Sequence, residues 1–403
     1  MKVLVYAHRL EVGGTQNNAI ELAAALRDIH GFEVIIFAAP GPMVKLIEEK
    51  NLRYIAAPDA YIHPSLARIR ALRAVVRSER PDLIHIWDWW QCLDAYYGVY
   101  LTMRIPMIVT DMMMNLNRIL PKRLPITFGT PELVDQAKAK GWRRAELILP
   151  PVDVQMNAPD VVDPLPFRKQ WGLKDSDIIL VTVSRLSNWM KAESLIQSID
   201  VVRRLGHDIP LRFVIVGEGE ARDKLEQLAE ETNLELGRPA ILFTGALLDP
   251  RPAYAAADIV IGMGGSALRG MAFGKPVVIV GEQGFSAPLT LETAESFYYQ
   301  GIYGRGNGNS DNEHLIEVIR ELVEHPKQLE ELGKFSRQFV VQHFSIETVS
   351  TRLADICRDA VEKVPRLYIA ANDALRTAAI YLRERCFLIP SRDKNSKNQE
   401  DKL

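Results

Sequence analysis

Arg185 and Lys191 stand six residues apart in Val183-Ser184-Arg185-Leu186-Ser187-Asn188-Trp189-Met190-Lys191, after an apolar run and before a helical one. Two cations at such a junction can hold a diphosphate and offset charge as it leaves, since a helix N-terminus also favours anions. The same pair also reads as ordinary charge on a solvated loop. Gly13 and Gly14, in Glu11-Val12-Gly13-Gly14-Thr15-Gln16, join the first apolar run to the first helical one. Paired glycines let backbone N–H groups approach a ligand, or simply reverse the chain. Gly217, Glu218 and Gly219 end Val214-Ile215-Val216 in another glycine turn, without the third glycine of a dinucleotide fingerprint.

The richest stretch is Ala257 to Val278, read as strand, glycine loop, helix, turn and strand. Gly264, Gly265, Ser266 and Ala267 occupy its loop, and Arg269 its helix. From Gly262 the loop matches G-x-G-x-x-A, and Glu282 lies about 20 residues on, as in a nicotinamide-binding site. Against that reading, the match falls in the second half of the chain and Gly270 interrupts a short helix. It would also leave the cation pair and the other glycine loops without a role. Asp175-Ser176-Asp177 precedes a strand and reads as a turn, not a metal site. Gly264-Gly265-Ser266-Ala267-Leu268 lacks the last glycine of a nucleophile elbow. The eight histidines contain no H-x3-H pair, and His85, within a strand, reads as packed.

The elements that would position these residues alternate. Apolar strands at 3–7, 33–38, 83–87 and 107–110 are separated by helical stretches such as 15–27 and 64–78. Five prolines between 150 and 166 mark a linker. A second series follows, with strands at 178–183, 211–216, 240–243, 259–261 and 276–280. Helical stretches at 192–204, 220–235, 266–273 and 313–324 separate them. Short, wholly apolar strands between helices imply parallel sheets covered on both faces. The expected fold is therefore α/β, with two Rossmann-like domains facing a central cleft. Residues 1–155 form the first, 167–345 the second, 346–390 the C-terminal helices and 391–403 a disordered tail. Asp111 ends Val109-Thr110-Asp111 on the edge facing that cleft, where it can position or deprotonate a hydroxyl, or cap the segment that follows.

Composition narrows the function. Lys+Arg 49 against Asp+Glu 51 gives no basic excess for nucleic acid. Cys92, Cys357 and Cys386 have neither metal nor disulfide spacing, which fits a reducing cytoplasm. The first apolar run stops at His8 and Arg9, too short for a signal peptide, and no run approaches the ~20 apolar residues of a spanning helix. The basic amphipathic stretch 64–78 allows peripheral membrane contact at most, a solvated helix being preferred.

Together these segments resemble glycosyltransferase family 4, retaining enzymes of the GT-B fold, from Met1 to about Arg358. Leu268 to Val278 is similar to that family's LEAMAxGxPVV signature, and the Gly13-Gly14 loop and Gly217-Glu218-Gly219 to its glycine turns. The resemblance implies that Arg185 and Lys191 hold the diphosphate of a nucleotide-sugar, with the sugar passing to an acceptor hydroxyl on a saccharide, lipid-linked or small molecule. It implies no metal and no cofactor, and C-terminal helices that return to the first domain. The family's ribose-gripping glutamate is Arg269 here, and its partner falls on Ile261. A carboxylate accepts from a ribose diol, whereas an arginine only donates. A catalytically degenerate relative that binds a partner is therefore the alternative, ahead of a nicotinamide enzyme.

Overall fold

The computed structural model describes residues 1–60, 62–308, 312–364 and 367–386; the expected tail at 391–403 lies outside them. The chain divides into two compact units. Unit 1 is Met1–Ile148 together with the chain from Ser350 on, and unit 2 is Leu149–Val349.

Unit 1 is built on seven parallel strands: β1 (Lys2–Tyr6), β2 (Glu33–Ala38), β3 (Arg53–Ala56), β4 (Leu83–Trp87), β5 (Met107–Asp111), β6 (Ile126–Phe128) and β7 (Ala145–Leu147). Their order is β3-β2-β1-β4-β5-β6-β7. The central strands are apolar on both faces because helices cover both, and Leu4, Ile35, Ile84, Ile86 and Val109 are fully buried. His85 is packed as expected. Its Nε2 lies 2.7 Å from Thr110 Oγ1, and burial pushes its pKa down to about 3. The helix Leu66–Glu79 turns Arg68 inward, so only part of its arginine row meets solvent. The helix Leu367–Tyr381 joins this core through Ala370 and Ala374. A π-helical turn, Tyr96–Tyr100, presents two hydroxyls that donate to its carbonyls, Tyr96 to Ala370 at 2.9 Å and Tyr97 to Ala374 at 2.8 Å.

Unit 2 carries β8 (Ile178–Val183), β9 (Leu211–Val216), β10 (Ile241–Gly245), β11 (Ile259–Gly262), β12 (Val277–Val280) and β13 (Ser286–Pro288), in the order β10-β9-β8-β11-β12-β13. All neighbours are parallel except β12 and β13. Both units are thus Rossmann-like α/β layers. Asp177 accepts from Lys174 N at 2.8 Å, so Asp175-Ser176-Asp177 is a turn.

One expectation is corrected here. The helix Gly265–Ala272 runs unbroken through Gly270. A Cβ at Gly270 would sit 2.7 Å from Val260 Cγ1, so this glycine lets the helix lie close on β11 and does not interrupt it.

Candidate functional site

In a doubly wound sheet, ligands sit beyond the carboxyl ends of the strands, where the strand order reverses. In unit 2 that point lies between β8 and β11. The loop 184–191 leaves β8 there, and 263–264 leaves β11.

The first loop is held in place by glycines. Ser184 N donates to Val216 O, Leu186 N to Glu218 O and Ala221 N to Leu186 O, at 2.8–2.9 Å. Gly217 has φ +144°, and a Cβ there would meet Ser184 O at 1.8 Å; at Gly219, φ is +157° and the clash is with Leu186 O at 2.3 Å. No other residue permits this approach. The two glycines therefore buttress the cation loop, while Glu218 pairs with Arg222. Glu220 completes the support by accepting from Asn188 N at 3.0 Å.

On this buttress stand the two cations. Arg185 is exposed and Lys191 half-buried, and neither forms a salt bridge among the described residues. Burial, and next the Arg185 charge, lower the Lys191 pKa to about 8. An anion arriving here would favour the charged form of the lysine. Two residues on, Glu193 accepts from Gln283 N at 3.0 Å and Gly284 N at 2.7 Å. That clamps the loop after β12 to the start of the helix Ala192–Leu205.

The second loop opens the helix Gly265–Ala272 at Gly264, with no side-chain cap. Gly264 N donates to Ile302 O at 2.7 Å. Ser266 Oγ receives Tyr254 OH at 3.3 Å, and Ala267 is fully buried. Arg269 Nη1 reaches Gly265 O at 3.3 Å, and Ile261 is buried in β11.

In unit 1 the order reverses between β1 and β4. Gly13 and Gly14 start the helix Gly14–Asp28 after β1, again without a side-chain cap, and no atom comes within 4 Å of a Cβ placed on Gly14. The sequence reading missed what stands beside them. His8, just past β1, meets Asp88, just past β4, with Nε2 and Oδ2 2.8 Å apart. Asp88 has φ 74° and ψ 162°, a region nearly reserved for glycine that costs ~1–3 kcal/mol in other residues. Three contacts hold it there: its N–H donates to Thr110 O, Oδ1 accepts from Trp89 N and Oδ2 faces His8. Strain of this kind gathers at functional sites. A cavity of about 260 Å³ opens beside the pair, lined in part by Gln16, His63, Arg68, Trp90 and Gln91. Asp94 backs it, accepting from Tyr6 OH and facing His63 Nδ1, both at 2.8 Å. Only the strand order could have revealed the pair, since its members are 80 residues apart and follow adjacent strands.

Asp111 departs from its expected place. It is the last residue of β5 and fully buried, which leaves it no surface on which to meet an acceptor. Oδ1 accepts from Met113 N at 3.0 Å, as in the capping alternative. Burial and the Asp88 charge raise its pKa to about 8. Among the described residues, no group of three or more His, Cys, Asp or Glu side chains could hold a metal ion. No described helix is long and apolar enough to cross a membrane.

Each unit matches a glycosyltransferase family model: residues 12–112 that described as Glycosyltransferase Family 4, residues 177–297 that of Glycosyl transferases group 1. Fold and matched segments together define a glycosyltransferase of the GT-B architecture. Among solved structures, the chain is similar to a glycosyltransferase from Rickettsia africae, at 16% identity and a TM-score of 0.72, covering 90% of this chain and 99% of that one. It is likewise similar to HepE of Anabaena in complex with UDP, at 17% identity and TM-score 0.70 over 89% and 100%. WaaG, a glycosyltransferase involved in lipopolysaccharide biosynthesis, follows at 15% identity and TM-score 0.59 over 89% and 99%. At these identities the likeness is one of fold. No curated protein matches the sequence.

Proposed function

We propose that the protein is a family 4 enzyme that moves a sugar from a nucleotide-diphosphate-sugar to an acceptor hydroxyl, with retention of configuration and without metal or cofactor. The observation that carries this reading is the Arg185–Lys191 loop, glycine-buttressed at the switch point of the second sheet, whose two cations form no salt bridge among the described residues. As the bond from the anomeric carbon to phosphate oxygen breaks, negative charge grows on the diphosphate, and the two cations stabilise it more in the transition state than before. The acceptor oxygen bonds to the same face of that carbon, and its proton passes to the departing phosphate oxygen. HepE of Anabaena was solved with UDP and with UDP-glucose, which places UDP first among the nucleotides to try.

Arg269 turned back on its own helix, and Ile261 buried in β11, favour a second reading: a protein that binds but does not turn over. A thermal-shift panel of UDP, GDP, ADP, CDP, TDP and NAD separates the readings, since a ligand at a hundredfold excess over Kd adds about 2.7 kcal/mol. We expect one nucleoside diphosphate to stabilise the protein. Stabilisation by NAD alone would sink the transferase reading, and tight nucleotide binding without turnover would support the second. Retention is tested by NMR of the product anomer, and metal independence by turnover in EDTA.

A further inference from the structure

Trp189 stands in the cation loop between Arg185 and Lys191, and its side chain takes no part in holding that loop. A single exposed apolar side chain needs no ligand, but two features set this one apart. The first is its surroundings. The chain has six tryptophans. Trp87, Trp89, Trp90, Trp142 and Trp171 are buried or half-buried, and each lies against another ring or a cation. Trp189 is 59% exposed. Among the described residues its ring meets no ring or cation, and its indole N–H meets no acceptor.

The second feature is rigidity. Trp189 N donates to Ser187 Oγ at 3.2 Å, and Ser187 Oγ donates to Trp189 O at 3.0 Å. Lys191 N donates to the same carbonyl at 2.8 Å. On either side the loop is sunk into the unit: Leu186 and Ser187 are buried, and Met190 packs against the core. Met190 has φ 63°, a left-handed turn uncommon outside glycine, between Trp189 and Lys191. The backbone thus fixes Trp189 on the solvent side of the turn, and its exposure does not come from a loose loop.

Position names the ligand. Trp189 and Lys191 are two residues apart, so their Cα atoms lie within ~7 Å of each other. A diphosphate on Lys191 brings whatever it is bonded to beside the indole. In a nucleotide-sugar the transferred sugar is bonded directly to the outer phosphate, whereas the ribose sets the base off from the inner one. A sugar ring carries hydroxyls on its rim and C–H bonds on its face, and that face packs on an indole. An indole already held in place loses little conformational entropy in doing so. We infer that Trp189 stacks on the sugar that the donor transfers, and so helps to select it. The inference rests on the transferase reading, with its diphosphate on Lys191.

The test follows acrylamide quenching of tryptophan fluorescence in the full chain, with UDP-glucose, UDP-galactose, GDP-mannose and ADP-glucose and with the parent UDP, GDP and ADP. Calorimetry gives the affinities of wild type and variants. We expect at least one nucleotide-sugar to lower the quenching while its parent nucleotide leaves it unchanged, and Trp189→Phe, which keeps a ring but not the emission, to abolish that difference. Trp189→Ala should bind the same nucleotide-sugar about tenfold more weakly and the parent nucleotide as wild type does. It should melt with wild type, because the ring is mostly exposed. Equal protection by nucleotide and nucleotide-sugar, an equal loss of affinity for both in Trp189→Ala, or no loss for either would overturn the inference and leave the donor site standing. No binding by any of the seven ligands would overturn the donor reading and the inference together.

Discussion

Lys191 places a testable proton at the centre of the donor site. Its pKa of about 8 is depressed by burial and by Arg185, and a bound diphosphate favours the charged form. Nucleotide affinity should hold up to about pH 8 and then fall by up to about tenfold per pH unit. Calorimetry near pH 8 in buffers of different ionisation enthalpy should show proton uptake on binding. Lys191→Ala should lose this dependence and ~10²–10³ in turnover. An affinity flat from pH 7 to 9.5 in the wild type would refute the assignment. Asp111 makes the opposite kind of claim, about the fold. Its carboxyl binds a proton up to about pH 8 in the folded state but releases it near 4 when unfolded. The folded form therefore holds the extra proton between those values, and its stability falls as pH rises from about 4 to 8. Asp111→Asn is neutral throughout and can still accept from Met113 N. Its advantage in melting temperature over wild type should widen from pH 5 to pH 8, and a constant gap would show that Asp111 is ionised in the fold.

The elements separate glycines that support from glycines that leave room. Gly217→Ala puts a Cβ 1.8 Å from Ser184 O, so it should lower the melting temperature and weaken nucleotide binding together. Gly14→Ala meets nothing within 4 Å at a helix start and gains the helix propensity of alanine, ~0.5–1 kcal/mol. It should melt no lower than wild type, and lost turnover in that variant would mark a ligand against its backbone. Equal destabilisation by the two changes would contradict both placements. The central strands were legible because burial on both faces demands unbroken apolar runs. The short or exposed strands were not: β3 is Arg53-Tyr54-Ile55-Ala56 with both ends exposed, and β6, β7 and β13 have three residues each. In the candidate site, the cation loop could be read because its members are neighbours in sequence. His8 and Asp88 could not, because only the parallel pairing of β1 with β4 brings them together, and no residue type announces the φ of Asp88.

At the scale of the molecule, the end of the described chain is structural. Asp373 accepts from Arg123 N at 2.9 Å, and Arg376 donates to Arg118 O at 3.0 Å and Leu120 O at 2.6 Å. Ending the chain before Leu367 would strip these partners and uncover the apolar surface under Ala370 and Ala374. We expect such a truncation to lower the melting temperature of the first unit by several degrees or to leave it insoluble. An unchanged melting curve would show the helix to be dispensable. Because the first unit takes its last helix from beyond the second, it also carries a consequence for synthesis. Its seven strands leave the ribosome first, yet the helix Leu367–Tyr381 follows only after residues 149–349 have been made, roughly 10–40 s later at ~5–20 residues per second. During that interval the Tyr96 and Tyr97 hydroxyls lack their carbonyl partners, and the apolar surface that Ala370 and Ala374 cover stays exposed. The second unit, continuous in sequence, can close before the first one does.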